Sequence, residues 1–181
     1  VSNTSATGGF LPVSAPDERT VEDVLNALIS AVAGLPPSLV RPRFQPKPPK
    51  QPTTDIDWCA FGITETSPGA AQLLCGEEGA EIHTEDLLTV LASFYGPNAL
   101  RLARRLVTGL AGIPQNRDFL RRHGLALVST GTTTRAPDLF GNTWVTRVDV
   151  PLIIRQGATA DVPVLPFLSA PVVITGDHHH E

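Results

Sequence analysis

Val21, Val24, Leu25, Leu28, Ile29 and Val32 recur at helical spacing, and Gly34 with Pro36-Pro37 lies just beyond them. That pattern predicts a helix over 21–33, with Thr20 as N-cap and Asp23 closing a short-armed capping box. Prolines at 42, 46, 48, 49 and 52 then exclude both a helix and a central strand over 41–55. An extended, polyproline-like strap is the expectation there. From 57 to 64 apolar residues fall on both faces (Trp58 and Ala60 against Cys59, Phe61 and Ile63), the mark of a buried strand. Residues 65–80 read as a loop ending in negative charge.

Over 81–95 the pattern supports two readings. Leu87, Leu88, Leu91 and Phe94 fit a helix, while Leu88, Val90, Ala92 and Phe94 fit one strand face, with Leu87, Leu91 and Tyr95 on the other. Pairing with 57–64 in a hairpin favours the strand. Gly96-Pro97 opens a helix over 97–111, with Arg101, Arg104, Arg105 and Thr108 on one stripe and Leu100, Leu102, Ala103, Leu106, Val107 and Leu110 opposite. A short basic helix over 116–123 ends at Gly124. Residues 125–134 alternate as a strand, 137–142 turn with Gly141-Asn142 at the tip, and 144–155 return. On that last strand Trp144, Thr146, Val148, Val150 and Leu152 share one face, and Val145, Arg147 and Asp149 the other. A further edge strand is expected over 172–175.

This order predicts an α+β fold: one domain over 1–181, an antiparallel sheet of four strands or slightly more, and about three helices packed on one face. Residues 1–16 form a flexible arm, 41–55 the proline-rich strap and 157–181 a C-terminal extension. Trp58, Phe61, Phe94 and Trp144 are the expected large core residues. No internal repeat is present.

Composition narrows the class. The 181 residues include 15 glycines and 17 prolines, above average usage but below the roughly 25–30% that marks disorder. No apolar run approaches the ~18 residues of a membrane span, and no charged stretch leads into an apolar one at the start, so neither a membrane span nor a secretory signal is expected. Two cysteines cannot make a disulfide framework, and both are expected to be reduced.

The formal net charge of −4 hides a segregation of sign. Residues 41–50 carry four bases and no acid. Residues 53–97 carry eight acids and no base, and 98–123 carry six arginines against Asp118. Such a surface suits docking in one orientation.

Chemistry is nearly absent. Cys59 lies mid-strand, where an inert buried thiol is expected, and Cys75 neighbours Glu77 and Glu78. His83 and His123 stand apart. The terminal run His178-His179-His180, with Asp177 and Glu181, is the sort of tract that binds metals adventitiously. Neither a zinc motif, a phosphate loop nor a nucleophile elbow occurs. Asp55, Asp57, Glu85 and Asp86 would converge if the two strands paired, a minor route to a metal-assisted hydrolase. The reading is of no enzyme, cofactor or resident metal. The arginine stripe lacks the aromatic interleaving of a nucleic-acid reader.

More specific than any of these are the strings RPRFQPKPP at 41–49, DWCAFGIT at 57–64, SFYGPNA at 93–99, GIPQNRDFLRRHGLALVSTG at 112–131 and PDLFGNTWVTRVDVPL at 137–152, with TGGFLP at 7–12 and VLPFLSA at 164–170. In that order the chain resembles the neck (tail) terminator family of long-tailed bacteriophages and related prophages, from about residue 7 to 170. The resemblance implies a virion protein at the head–tail junction, assembled in the host cytoplasm. It implies a six-fold ring of copies of the chain that caps the tail tube, ends its growth and meets the head-completion proteins, while DNA passes non-specifically through the hole. It implies no catalytic residue and no membrane partner.

Within that frame Arg101, Arg104, Arg105, Arg121 and Arg122 are interface candidates, and Phe10, Arg41, Arg43 and Phe44 are candidate contacts of arm and strap. The acids serve either as the partner face for the arginines or as the lining of the hole. Glu77, Glu78 and Glu81 are assigned to the lining, where like charge keeps DNA from sticking. A head-completion (stopper) protein of the same neck is the alternative structural role.

Overall fold

The computed structural model describes residues 18–75 and 80–162. The elements run α1 (Glu18–Ala33), a 3-10 turn (Pro37–Leu39), β1 (Val40–Pro42), β2 (Trp58–Cys75), β3 (Ala80–Tyr95), α2 (Ala99–Gly112) and α3 (Pro114–Arg121). They continue with β4 (Leu125–Thr130), β5 (Thr134–Arg135), β6 (Asp138–Phe140), β7 (Thr143–Val145) and β8 (Arg147–Val162). The fold is α+β, with a six-stranded mixed sheet in the order β1-β2-β3-β8-β4, β5 pairing beside β4 on β8, and a separate two-stranded sheet β6-β7. Among the described residues no helix is long and apolar enough to cross a membrane.

Two compact units divide the chain. One comprises residues 15–71 and 84–158; the other comprises 1–14, 72–83 and 159–181. In the second, the described residues are the strand segments 72–75, 80–83 and 159–162, in which Ala80 and Val162 are buried.

In the first unit the alternation of each strand sorts its residues cleanly. Cys59 and Phe61 of β2, Leu88, Val90, Ala92 and Phe94 of β3, and Val148, Val150, Leu152 and Ile154 of β8 join one core. The helices close it with Leu25, Leu28, Ile29, Leu102, Leu106, Leu110 and Leu120. Gly109 lets α1 and α2 meet, because a Cβ there would lie 2.5 Å from Cγ1 of Val32. The opposite face of the sheet holds a smaller cluster of Trp58, Ala60, Tyr95 and Val145, with Leu39 against it.

The strand reading of 81–95 is the one observed, and its core face is the expected one. The short arginine-bearing stripe of α2 is exposed and its apolar stripe buried, as the spacing requires. Other boundaries differ. Thr20 is not an N-cap but lies inside α1, whose sequence permits an earlier start at Glu18. Pro97 precedes α2 in a turn, and Asn98 holds the cap position. Residues 65–75, expected as loop, continue β2; they are exposed, so no burial pattern marked them. The proline-rich segment contributes β1, which pairs parallel to β2 with Val40 opposite Cys59. That adds a parallel edge to a sheet expected to be antiparallel, and Pro42 is tolerated because the strand is an edge. The strand expected over 125–134 is broken into β4 and β5.

The largest correction concerns Trp144. It is 69% exposed, so it is not a core residue. The apolar alternation over 144–155 predicts one strand in one phase, but Thr146 interrupts it between β7 and β8. Alternation restarts there: Val145 is buried on one side of the break, Val148 and Val150 on the other. The expected edge strand at 172–175 and the arm at 1–16 lie outside the described residues.

Trp58→Ala should destabilise the fold by about 3–5 kcal/mol, whereas Trp144→Ala should shift it by no more than about 0.5 kcal/mol, both measured by denaturant melts. Two buried acids contribute to the pH dependence of stability on the alkaline side. Burial pushes the Cys59 thiol up, and burial also raises the Tyr95 phenol against the opposing pull of Arg147 and Arg43. Each group is neutral when protonated and holds its proton more tightly in the folded chain. The unfolded chain therefore ionises first, and stability present at neutral pH should fall as the pH rises past about 9. Cys59→Ala should flatten that fall, removing a slope of up to about 1.4 kcal/mol per pH unit.

Candidate functional site

The second face of the sheet carries the densest polar chemistry in the described residues. Asp149 of β8 is its centre. Arg147 donates to it with Nε at 2.9 Å and Nη2 at 2.8 Å, a bidentate pair. Ser93 Oγ of β3 donates to Asp149 Oδ1, and Arg43 Nη2 donates to Ser93 Oγ. Arg147 Nη1 reaches Asp138 Oδ2 at 3.4 Å, at the start of the β6–β7 hairpin. The Asp149 bonds hold the Arg147 guanidinium above its ordinary range. Residues distant in sequence are thereby tied to one carboxylate: Arg43 just after β1, β3, β8 and the hairpin.

Beside this network the Trp58 and Tyr95 rings stack at 4.4 Å with 9° between their planes, and Phe140 meets Tyr95 edge-on at 6.4 Å. Pro52 and Ile56 help line the small cavity over these rings, so part of the proline-rich stretch lies across the aromatic cluster. Arg41 is bound locally, Nε to Ser38 O at 3.0 Å and Nη1 to Lys50 O at 2.9 Å. Phe44 is 73% exposed. Of the four strap and arm candidates, then, Arg43 is built into the sheet, Arg41 holds the strap's own backbone and Phe44 is left outward. Phe10 lies outside the described residues.

On the helical side, Arg101, Arg104, Arg105, Arg121 and Arg122 are all exposed. They are not equivalent. The Arg105 guanidinium lies over Gly34, where a Cβ would be 2.8 Å from Nη2. It thus sits at the C-terminal end of α1, where a cation is favoured by the helix dipole. Arg121 pairs with Asp118 at 2.9 Å within α3. Arg101 and Arg104 have no ion pair among the described residues. They border an open groove of about 950 Å³ whose lining includes Val32, Leu100, Thr108, Gly112 and Ile113.

The four carboxylates proposed for a metal do not assemble. Asp57 accepts from the Asn98 backbone N–H and side-chain amide, both at 2.8 Å, and so fixes the start of α2. Glu85 faces Arg155 at 3.8 Å, and Asp86 accepts from Gly69 N–H at 3.4 Å. Asp55 is held below its ordinary value by the Thr53 hydroxyl and its own backbone N–H. Among the described residues no group of three or more His, Cys, Asp and Glu side chains could hold a metal ion. His83 bonds Glu81 at 3.2 Å, and His123 Nδ1–H donates to the Phe119 carbonyl, 2.8 Å away. Cys59 is buried and Cys75 exposed. Glu77, Glu78 and the terminal His178–His180 lie outside the described residues; Glu81 is exposed near the start of β3.

The Asp149 network was not singled out by the sequence reading. Its signal was present: Ser93 interrupts an apolar strand, and Arg147 and Asp149 share the face opposite the core. Asp149→Ala should leave Ser93 fully buried without its acceptor and Arg147 with only the longer contact to Asp138, and destabilise the fold by about 3 kcal/mol. A double-mutant cycle with Arg147→Met in denaturant melts measures the coupling.

The geometry is therefore that of a protein whose polar side chains position backbone and surface. No curated protein matches the chain. The model of the phage neck terminator protein family matches residues 19–177, nearly the whole chain. On that match the chain belongs to the phage neck terminator protein family.

Proposed function

We propose that copies of this chain close into a six-fold ring on the head-proximal end of the phage tail tube. The ring ends tube growth and offers its other side to the head-completion proteins, and DNA passes through its centre. The chain makes and breaks no bonds; it acts by shape and contact. The observation that carries the reading is the family match over residues 19–177. The segregated charge supports it, because a ring needs two different faces of one subunit to match. The exposed arginines of α2 supply one such face. Glu81, together with Glu77 and Glu78 by sequence, is assigned to the hole, where repulsion keeps the passing DNA free.

Phage lacking the protein tests this. Terminator loss should leave tails of abnormal length beside DNA-filled heads without tails, read by electron microscopy. Leaky heads beside normal tails would instead assign the chain to the stopper role. Arg101→Glu with Arg104→Glu should leave the monomer folded, with an unchanged melt, and reduce tailed-particle yield at least tenfold; normal yield would remove those arginines from the interface.

A further inference from the structure

Two features of the first unit have the complementary forms of a plug and a socket. The plug is the β6–β7 hairpin. Leu139 and Trp144 stand directly opposite each other in its register and are 51% and 69% exposed. The mount beneath them is stiff. Gly141 takes the positive φ (58°) of the tight turn, Val145 is buried, Phe140 packs on Tyr95, and Arg147 ties Asp138 to the Asp149 network. A large aromatic held rigidly outward loses little entropy on binding and is the commonest kind of interface anchor.

The socket is the groove between the end of α1 and the outer side of α2. Val32, Leu100 and Ile113 give it apolar walls, and Arg101 and Arg104 stand on its border without an ion pair among the described residues. Its volume, about 950 Å³, is at the upper end of sites that enclose an apolar body and orient it with a few polar groups.

We infer that the hairpin of one copy, led by Trp144 and Leu139, seats in the α1–α2 groove of the next. Indole is the aromatic that arginine stacks on best, and Arg101 and Arg104 can lie over its face. The Asp138 carboxylate, 41% exposed at the foot of the hairpin, supplies the opposite charge to the same two cations. Plug and socket are different surfaces, so the contact is head-to-tail and propagates around a ring rather than stopping at a symmetric dimer. This contact rests on the ring reading and names its interface. A nucleic-acid strand fits the groove less well, since Val32, Leu100 and Ile113 line it with apolar surface that a phosphate backbone cannot use.

Complementary dead ends test it. Trp144→Ala removes the plug at an exposed position. Gly112→Trp fills the socket, because a Cβ at 112 would meet nothing within 4 Å; Thr108→Trp serves if that variant does not fold. By sedimentation velocity the unaltered chain should assemble, while each variant, with its melting temperature unchanged, should lose at least about 30-fold in self-association. Mixed in equal amounts, the two variants should form a one-to-one dimer and nothing larger, since one intact plug then meets one intact socket. If Trp144→Ala assembles like the unaltered chain, or the mixture stays monomeric, this contact is overturned while the ring reading stands. If the unaltered chain neither assembles nor occurs in purified particles, both fall. Duplex DNA bound by the unaltered chain and lost on Arg101→Glu with Arg104→Glu, without self-association, would give the groove to DNA and also overturn the contact.

Discussion

One carboxylate organises the less populated face of the sheet. The helices cover the other face with a large apolar core, but among the described residues the cluster behind it holds Trp58, Ala60, Tyr95 and Val145 with Leu39 against them. So little apolar surface could not by itself hold a strap and a hairpin in register. Asp149 supplies the missing constraint by accepting from Arg147 and Ser93, and through Ser93 it reaches Arg43. Charge-assisted bonds of this kind fix direction as well as position. Arg43 Nε is left buried without a partner among the described residues, a local cost of ordering that the rest of the network must offset.

The same constraint explains why a tryptophan can stand outside. The hairpin carrying Trp144 is only two three-residue strands, and an isolated hairpin is marginal in water. Here it is anchored at both feet, by Asp138 to Arg147 and by burial of Val145. Rigidity at the base is what turns an exposed apolar pair into a defined surface feature. On the helical side, Arg105 performs a comparable service by lying over the end of α1, which leaves Arg101 and Arg104 as the arginines of that stripe open to a partner. A run of like charges in sequence thus resolves into one residue that serves the fold and two that do not.

The elements that could be read from sequence were those with a strong buried period. Leu88, Val90, Ala92 and Phe94 identify β3, and Leu102, Leu106 and Leu110 identify α2, because each set must face one core. The outer half of β2 could not be read this way. Residues 65–75 are exposed on both faces, and strand formation there leaves no alternation to see. Trp144 misled for a related reason: an apolar residue in phase with its neighbours looks buried, and only the break at Thr146 separates it from Val148 and Val150. The polar network was partly legible, since Ser93, Arg147 and Asp149 sit on one predicted face, but their meeting depends on β3 and β8 being neighbours, which no spacing reveals.

Fold and family bear on function differently. A mixed sheet with helices on one face hosts many roles, so the architecture alone assigns none. Family membership assigns a place in the neck, and the side chains then say how a chain of this composition can occupy it. With few buried charges outside one network and no assembled ligand set among the described residues, the surface carries an outward indole and leucine, two arginines without an ion pair among the described residues, and a β-strand segment exposed throughout. A monomer meant to remain alone would gain from replacing each of these with small or paired polar groups. An outward indole and leucine on a hairpin anchored at both feet are surface features of the kind that contact with another protein would cover.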